Sequence, residues 1–493
     1  MRSAPLLIAA LAASALSAGS SPSVVAGGTV VLKAGSVYTL ERGEVLEGGA
    51  AVIVRDGRIL AVGKNLDIPP GAQVIDYGAG AAIVPGLIAA NSYYGSGIPS
   101  RRTADLSARA LDNFDTFSDG YVGDLMGGVT TVYLSPSSGR LIGGQGAVVK
   151  LGGADDKRVL RDSAAIDGTI TAQARSVPGY WEPPVPATID VGLGVVEQQL
   201  PGSAMGAGIA LRELIGFARG TAQDTGAYGP QTAAMLRDLM QAGTPWRMGA
   251  DSEQEIRVLL ELAKNEHLPL VITGGGASGK VARDIAAAGA AVVVQVSAHA
   301  EGDAIDFGKG ENAVWPAYDN AVRLVDAGVR TAIAPGIGMR VRDLRFAAGL
   351  ASRGGLSPQA ALHAITLGAA EILGVESRVG SLAPGKDADF CVLNGSPLSS
   401  TSSVIATWID GNVAWSFTSM GAARDAYLRA SGAEIAKGLS NTVVIEADAL
   451  YLGDGRVLRP GQVLIHNGRI TEVSVYQQDA YAFDEFWSAA ATR

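Results

Sequence analysis

The chain has 493 residues, 47% of them hydrophobic, enough to bury a large core, and a formal net charge of -9 with acidic and basic residues interspersed. That balance excludes nucleic acid as a partner, because phosphate binding requires clustered Lys and Arg. The one cysteine, Cys391, excludes an internal disulfide, and glycine, at 65 residues, is far above its usual share and predicts many tight turns.

At the N-terminus, Arg2, an apolar run from Leu6 to Leu16 and small residues from Ala13 to Ser21 read as a secretory signal over residues 1–21. The run is too short to span a bilayer, and later apolar runs are broken by Gly and charge. The mature chain is therefore expected to be exported, periplasmic or extracellular, with no membrane segment. Val30 to Gly63 alternates apolar and polar residues with turn signals at Arg42-Gly43 and Asp56-Gly57, the pattern of β-meander or sandwich strands. Strand-like and helix-like pieces then alternate. Thr130 to Leu134 reads as a strand. Ser252 opens a helix with Glu255 three residues on, a capping-box arrangement, running to about Asn265. Leu268 to Ile272 is a strand, Lys280 to Ala288 a helix, and Ala291 to Val296 a buried strand. Asp319 to Ala327 is a helix and Thr331 to Ala334 a strand. Ser357-Pro358 opens another helix, proline being suited to the first helical position. This alternation predicts an α/β fold with a parallel sheet. The proline-rich run 178–186 is expected to be an inserted loop near the mouth.

A second strand-rich block follows, Gly380 to Leu393 and Val404 to Gly411. The opening strands then recur. Val30-Val31-Leu32-Lys33-Ala34 and Tyr38 return as Val443-Val444-Ile445-Glu446-Ala447 and Tyr451. Asp56-Gly57-Arg58-Ile59 returns as Asn467-Gly468-Arg469-Ile470, with one short gap between the two matches. A helical linker, about Ala422 to Lys437, precedes the repeat. It reads as the start of a second unit in a longer tandem chain, as strands completing a partner's sandwich, or as an extension of this chain's own sandwich.

The stretch Val84-Pro85-Gly86-Leu87-Ile88-Ala89-Ala90-Asn91-Ser92-Tyr93-Tyr94-Gly95 resembles V-x-P-G-L-I-D-x-H-x-H-x-G, which opens the barrel of the amidohydrolase superfamily. Gly127-Gly128-Val129-Thr130-Thr131-Val132 and the closing segment Gly380 to Asp389 resemble further signatures of that family, and Leu141 to Gly146 and Met205-Gly206-Ala207 are similar to features of one branch of its imidazolonepropionase-like group. The resemblance covers residues 30 to about 416. It implies a TIM-like (β/α)8 barrel over 83–376 and a small composite β-sandwich from 29–82 plus 377–416. A linker over 417–441 and the start of a second amidohydrolase-like sandwich over 442–493 follow. The family activity is hydrolysis of non-peptide C–N bonds, with Zn or another divalent metal.

The metal-binding half of the signature departs from the family. Side chains at i and i+2 of a strand point the same way, so two imidazoles at that spacing aim at one ion above a barrel mouth. Here the family's Asp falls on Ala89 and its two His on Asn91 and Tyr93, which are expected to keep the inward direction. An amide is a weak ligand, and a phenol with a pKa near ~10 stays protonated at neutral pH. A later His position falls on Gly249, another on Thr273 or the glycines 274–276, and the catalytic Asp near Gly336. No cofactor is expected.

Among the remaining polar residues, Gln145, Asp251, His299 and Arg340 are possible pocket groups. Asp251 and Glu253 read as a carboxylate pair or as acidic residues favouring a helix N-terminus. Arg340 and Arg342 read as an anion site or as solvated charges. His267, His363 and His466 read as ordinary. Ser92, Ser135 and Ser137 suggest a nucleophile only beside a base, and none is evident. Three functions stay open. One is a metal-ligand-deficient pseudoenzyme unit acting structurally or regulatorily with an active amidohydrolase unit, in tandem or as a separate subunit. The others are an active hydrolase of cyclic amides with an atypical site, and an exported small-molecule-binding protein.

Overall fold

A computed structural model describes residues 28–41, 43–96, 103–116, 118, 120–136, 139–175, 201–223, 228–297, 318–336, 338–417, 442–447, 449–466 and 469–475. The chain forms two compact units, Met1–Phe417 and Thr418–Arg493. The signal, the 178–186 loop, the 422–437 linker, Ser137, His299 and Asn467-Gly468 lie outside the described residues. Among the described residues no helix is long and apolar enough to cross a membrane.

The first unit opens with five strands: β1 (Thr29–Tyr38), β2 (Val45–Arg55), β3 (Arg58–Lys64), β4 (Gln73–Asp76) and β5 (Ala82–Pro85). It ends with β14 (Phe390–Leu393), β15 (Val404–Ile409) and β16 (Asn412–Ser416). These make one eight-stranded sheet, ordered β16-β15-β14-β5-β1-β2-β3, with β4 beside β1. The two ends of the unit meet where β14 runs antiparallel to β5, Phe390 opposite Pro85 and Leu393 opposite Ala82. The alternation seen in the sequence places Leu32, Val52 and Ile59 on the face that also buries Phe390 and Trp408, whose rings stack 5.5 Å apart.

Between β5 and β14 lie β6 (Leu87–Ala89), β7 (Val129–Leu134), β8 (Gly144–Lys150), β9 (Val159–Thr169), β10 (Trp246–Ala250), β11 (Leu270–Gly274), β12 (Ala291–Val296) and β13 (Thr331–Pro335). They form one sheet in the order β13 to β6. The sheet curls into a nearly closed TIM-like barrel. Ile88 N–H on β6 donates to the Ile365 carbonyl just after the helix Pro358–Ala364, at 2.8 Å. All pairings are parallel except those of β8, which runs antiparallel to both β7 and β9. The helix Glu253–Glu266 has the expected capping box, and Ser357 Oγ caps the helix at Pro358. His267 ends the former helix in the left-handed conformation, and the predicted helix from Lys280 is observed as a 3-10 turn, Ser278–Val281, followed by Ala282–Ala287.

A buried charge cluster ties barrel to sheet. Lys150, at the end of β8, is fully buried, and its Nζ lies 2.7 Å from Asp387, 2.9 Å from Asp389 and 2.6 Å from Asp410. Arg378 also pairs with Asp387, at 2.6 Å. Burial works against the Lys150 charge, but the carboxylates outweigh it and raise its pKa. Burial pushes Asp389 up to about 6, whereas Lys150 and Arg378 overcome burial at Asp387 and hold it below the usual range.

The second unit contains β17 (Thr442–Ala447), β18 (Leu450–Tyr451), β19 (Val457–Leu458), β20 (Gly461–His466) and β21 (Arg469–Val475). It reproduces β1–β3 in register. Val30 faces Val54 as Val443 faces Ile465, and Val54 faces Ile59 as Ile465 faces Ile470. The β-bulge between Ile53 and Val54 recurs between Leu464 and Ile465.

Candidate polar site in the barrel

The first strand of the barrel ends at Ala89, two residues short of Asn91, so strand alternation does not reach the departed ligand positions. Asn91 is half-buried and turns to the barrel interior, where its Oδ1 accepts from Arg247 Nη2 at 3.0 Å. Tyr93 is 65% exposed and does not share that direction, contrary to the expectation from spacing. At Gly249 a Cβ would fall 2.9 Å from Thr169 Cβ and closer still to its hydroxyl. At Gly336 it would collide with Ser297 Oγ and sit 3.0 Å from the Ser297 backbone nitrogen. A larger side chain would have to displace the Thr169 side chain at Gly249, and the Ser297 hydroxyl and nearby backbone at Gly336.

The barrel interior instead holds a buried polar layer built by β7, β9 and β10. Arg247 on β10 is 2% exposed and Asp167 on β9 is 5% exposed. Arg247 Nη2 donates to the Ala90 carbonyl at 2.6 Å, and Nε lies 3.7 Å from Asp167 Oδ1. The guanidinium covers the Tyr133 ring, 4.1 Å from its centroid. Tyr133 donates its hydroxyl to Asp167 Oδ2, and Ser135 donates to Oδ1 at 3.4 Å. Ser92 donates to the Tyr133 carbonyl at 2.7 Å, which absorbs its hydroxyl proton. Arg247 Nη1 is buried with no hydrogen-bond partner among the described residues.

Burial raises the Asp167 carboxyl to about 7, against the pull of Arg247 and of the bonds from Tyr133 and Ser135. Burial, reinforced by the Asp167 charge, holds the Tyr133 phenol well above its ordinary value. The folded state therefore binds the Asp167 proton more tightly than the unfolded chain, whose carboxyl titrates near ~3.9. The cost of ionising it is absent at low pH and grows as pH rises toward 7. Relative to Asp167→Asn, the wild type should lose stability between about pH 4 and pH 8, read as urea midpoints at several pH values. A gap that does not change with pH would contradict this placement.

Gly146 explains part of the glycine-rich stretch. A Cβ there would collide with the Tyr133 hydroxyl and crowd Asp167 Oδ2, so only glycine lets that bond form. Gly146→Ala should cost about 1–3 kcal/mol by overpacking, measured by urea unfolding.

The other candidates are not gathered here. Gln145 is buried on β8 and donates to the Leu106 carbonyl at 2.7 Å. Asp251 is exposed at the helix entry, accepting from Gly276 N–H at 3.3 Å, and Glu253 pairs with Lys280 at 3.5 Å. Arg340 is exposed, its N–H donating to Asp343 at 2.8 Å. Sequence reasoning missed Arg247, Asp167 and Tyr133. The available signal was Arg247, the one charged residue in the short, otherwise apolar strand Trp246–Ala250, whereas Asp167 lies in a strand that carries Arg161 and Asp162 as well and does not stand out. Two surface clefts, of about 260 and 550 Å³, lie away from this layer. The larger is lined by Val329, Arg330 and Thr331, at the start of β13 and so at the foot of the barrel.

A divalent metal does not fit this donor set. Among the described residues no group of three or more His, Cys, Asp or Glu side chains is placed to hold one. The interior carboxylate already faces a fixed guanidinium.

The amidohydrolase family profile matches residues 335–414. An imidazolonepropionase of Shewanella oneidensis is 56% identical over 39 residues, 8% of this chain and 10% of that protein's length. The crystal structure of an amidohydrolase from Thermotoga maritima superposes with a TM-score of 0.65 at 23% identity, covering 78% of this chain and 100% of that one. That likeness establishes a shared fold.

Proposed function

We propose that this chain, an amidohydrolase-superfamily protein of imidazolonepropionase-like type, is an exported, metal-ligand-deficient unit that supports an active amidohydrolase unit structurally or regulatorily. One observation supports the reading: Arg247 lies beside Asp167 in the barrel interior, and glycines stand at 249 and 336, where even a Cβ would crowd Thr169 and Ser297. A guanidinium always carries its charge, so it neutralises the carboxylate as a metal would, but offers no open coordination position for water. Fold alone does not assign the activity.

The test restores the signature. The triple variant Ala89→Asp, Asn91→His, Tyr93→His should gain neither zinc retention nor hydrolysis of cyclic amides, because the later positions and the Arg247 charge still oppose a metal. Tight zinc binding by that variant would overturn the reading. A second reading, small-molecule binding, is favoured by the buried Arg247 Nη1, which would donate to a ligand carbonyl or carboxylate. It predicts a ligand that raises the melting temperature without turnover, an effect lost in Arg247→Gln.

A further inference from the structure

The second unit carries the face that β1–β3 bury in the first unit, and among the described residues nothing covers it as the closing strands do there. In the first unit Leu32, Val52, Val54 and Ile59 are at most 2% exposed, and the strands of the closing segment cover them with Phe390, Val392 and Trp408. Their register counterparts are Ile445, Val463, Ile465 and Ile470, apolar at every position. Ile445 is 50% and Ile470 66% exposed, and Val463 and Ile465 are half-buried. The opposite face mixes Val444 and Leu464 with Glu446, Gln462, His466 and Glu472. An amphipathic sheet face with matching register and a matching bulge calls for a matching cover.

We propose that this face docks the closing strands of a second amidohydrolase-fold unit, as counterparts of Phe390–Leu393 and Val404–Ile409. The chain's own closing strands are committed, since Phe390 and Trp408 are fully buried against β1–β3. A second copy of the chain has its closing strands committed in the same way. Among the described residues, β17 also pairs only with β20, whereas its counterpart β1 pairs with β4 and β5 on its other edge. This inference deepens the pairing part of the proposed function and rests on it for the kind of partner. The sheet face is tested without reading turnover, so either can fail alone.

The experiment appends a copy of this chain's residues 380–416 after Arg493 through a flexible linker, which presents closing strands at high effective concentration. Backbone amides of Thr442–Ala447 and Gly461–Val475 should exchange with deuterium at least ~10-fold more slowly than in the unappended chain. Ile470→Lys should abolish the protection while leaving amides of β1–β3 unchanged. Equal exchange with and without the appended segment would overturn the proposal. So would an unappended chain that sediments as a dimer and becomes monomeric on Ile470→Lys, since a second copy would then cover the face.

Discussion

Lys150→Met should destabilise the first unit by about 3–5 kcal/mol near neutral pH, the range for removing one partner of a buried ion pair. Methionine fills most of the space, so the loss is electrostatic rather than a cavity effect. Asp387 would keep Arg378 at 2.6 Å and Arg58 at 3.6 Å. Among the described residues, Asp389 and Asp410 would be left with no cation at hydrogen-bonding distance, one fully buried and the other 10% exposed. Asp389 is already raised to about 6 with Lys150 present, and its removal pushes that carboxyl higher. The penalty should therefore shrink as pH falls and the carboxyls protonate. Urea unfolding of wild type and variant across the acid range checks both magnitude and sign. A loss that stays small at neutral pH would mean the cluster is not closed to water.

Arg247→Met should cost a similar amount, about 3–5 kcal/mol above pH 7, for a related reason. The substitution removes the donors to Ala90 O and Asn91 Oδ1, uncovers the Tyr133 ring, and leaves Asp167 buried without its cation. Since the Asp167 carboxyl already titrates near 7 against the pull of Arg247, losing that pull keeps it protonated at neutral pH. The double variant Arg247→Met, Asp167→Asn should recover part of the loss, because a neutral amide still accepts from Tyr133. The coupling between the two substitutions, read as a double-mutant cycle, should exceed about 1 kcal/mol. Additive losses would show that the two side chains do not act as a pair.

Much of the scaffold was legible because it depends on local signals. The capping box at Ser252 and Glu255, the proline after Ser357, and the alternation from Val30 to Gly63 each act within a few residues and were read correctly. The reversed direction of β8 was not legible. Its stretch Gly144–Lys150 holds two glycines and an apolar run and carries no local signal of direction, and the close approach of Tyr133 and Asp167 at Gly146 joins residues distant in sequence. Nor was the polar layer, since Asp167 and Arg247 stand far apart in sequence and meet only because β9 and β10 are neighbours. Tyr93 was misplaced because the two-residue period was carried past Ala89, where the strand stops. The residues at the four positions where the resemblance implies metal ligands, Asn91, Tyr93, Gly249 and Gly336, are read from the sequence, whereas the crowding of an added Cβ by Thr169 at Gly249 and by Ser297 at Gly336 is seen only in the structure.

The most direct test is elemental analysis of the full chain purified without chelators, then incubated with zinc and separated from free metal. The account predicts zinc, nickel and manganese well below one equivalent per chain, and no hydrolysis of cyclic amides by the loaded sample. Near-stoichiometric metal that is lost on substituting Asp251 or His299 would contradict it.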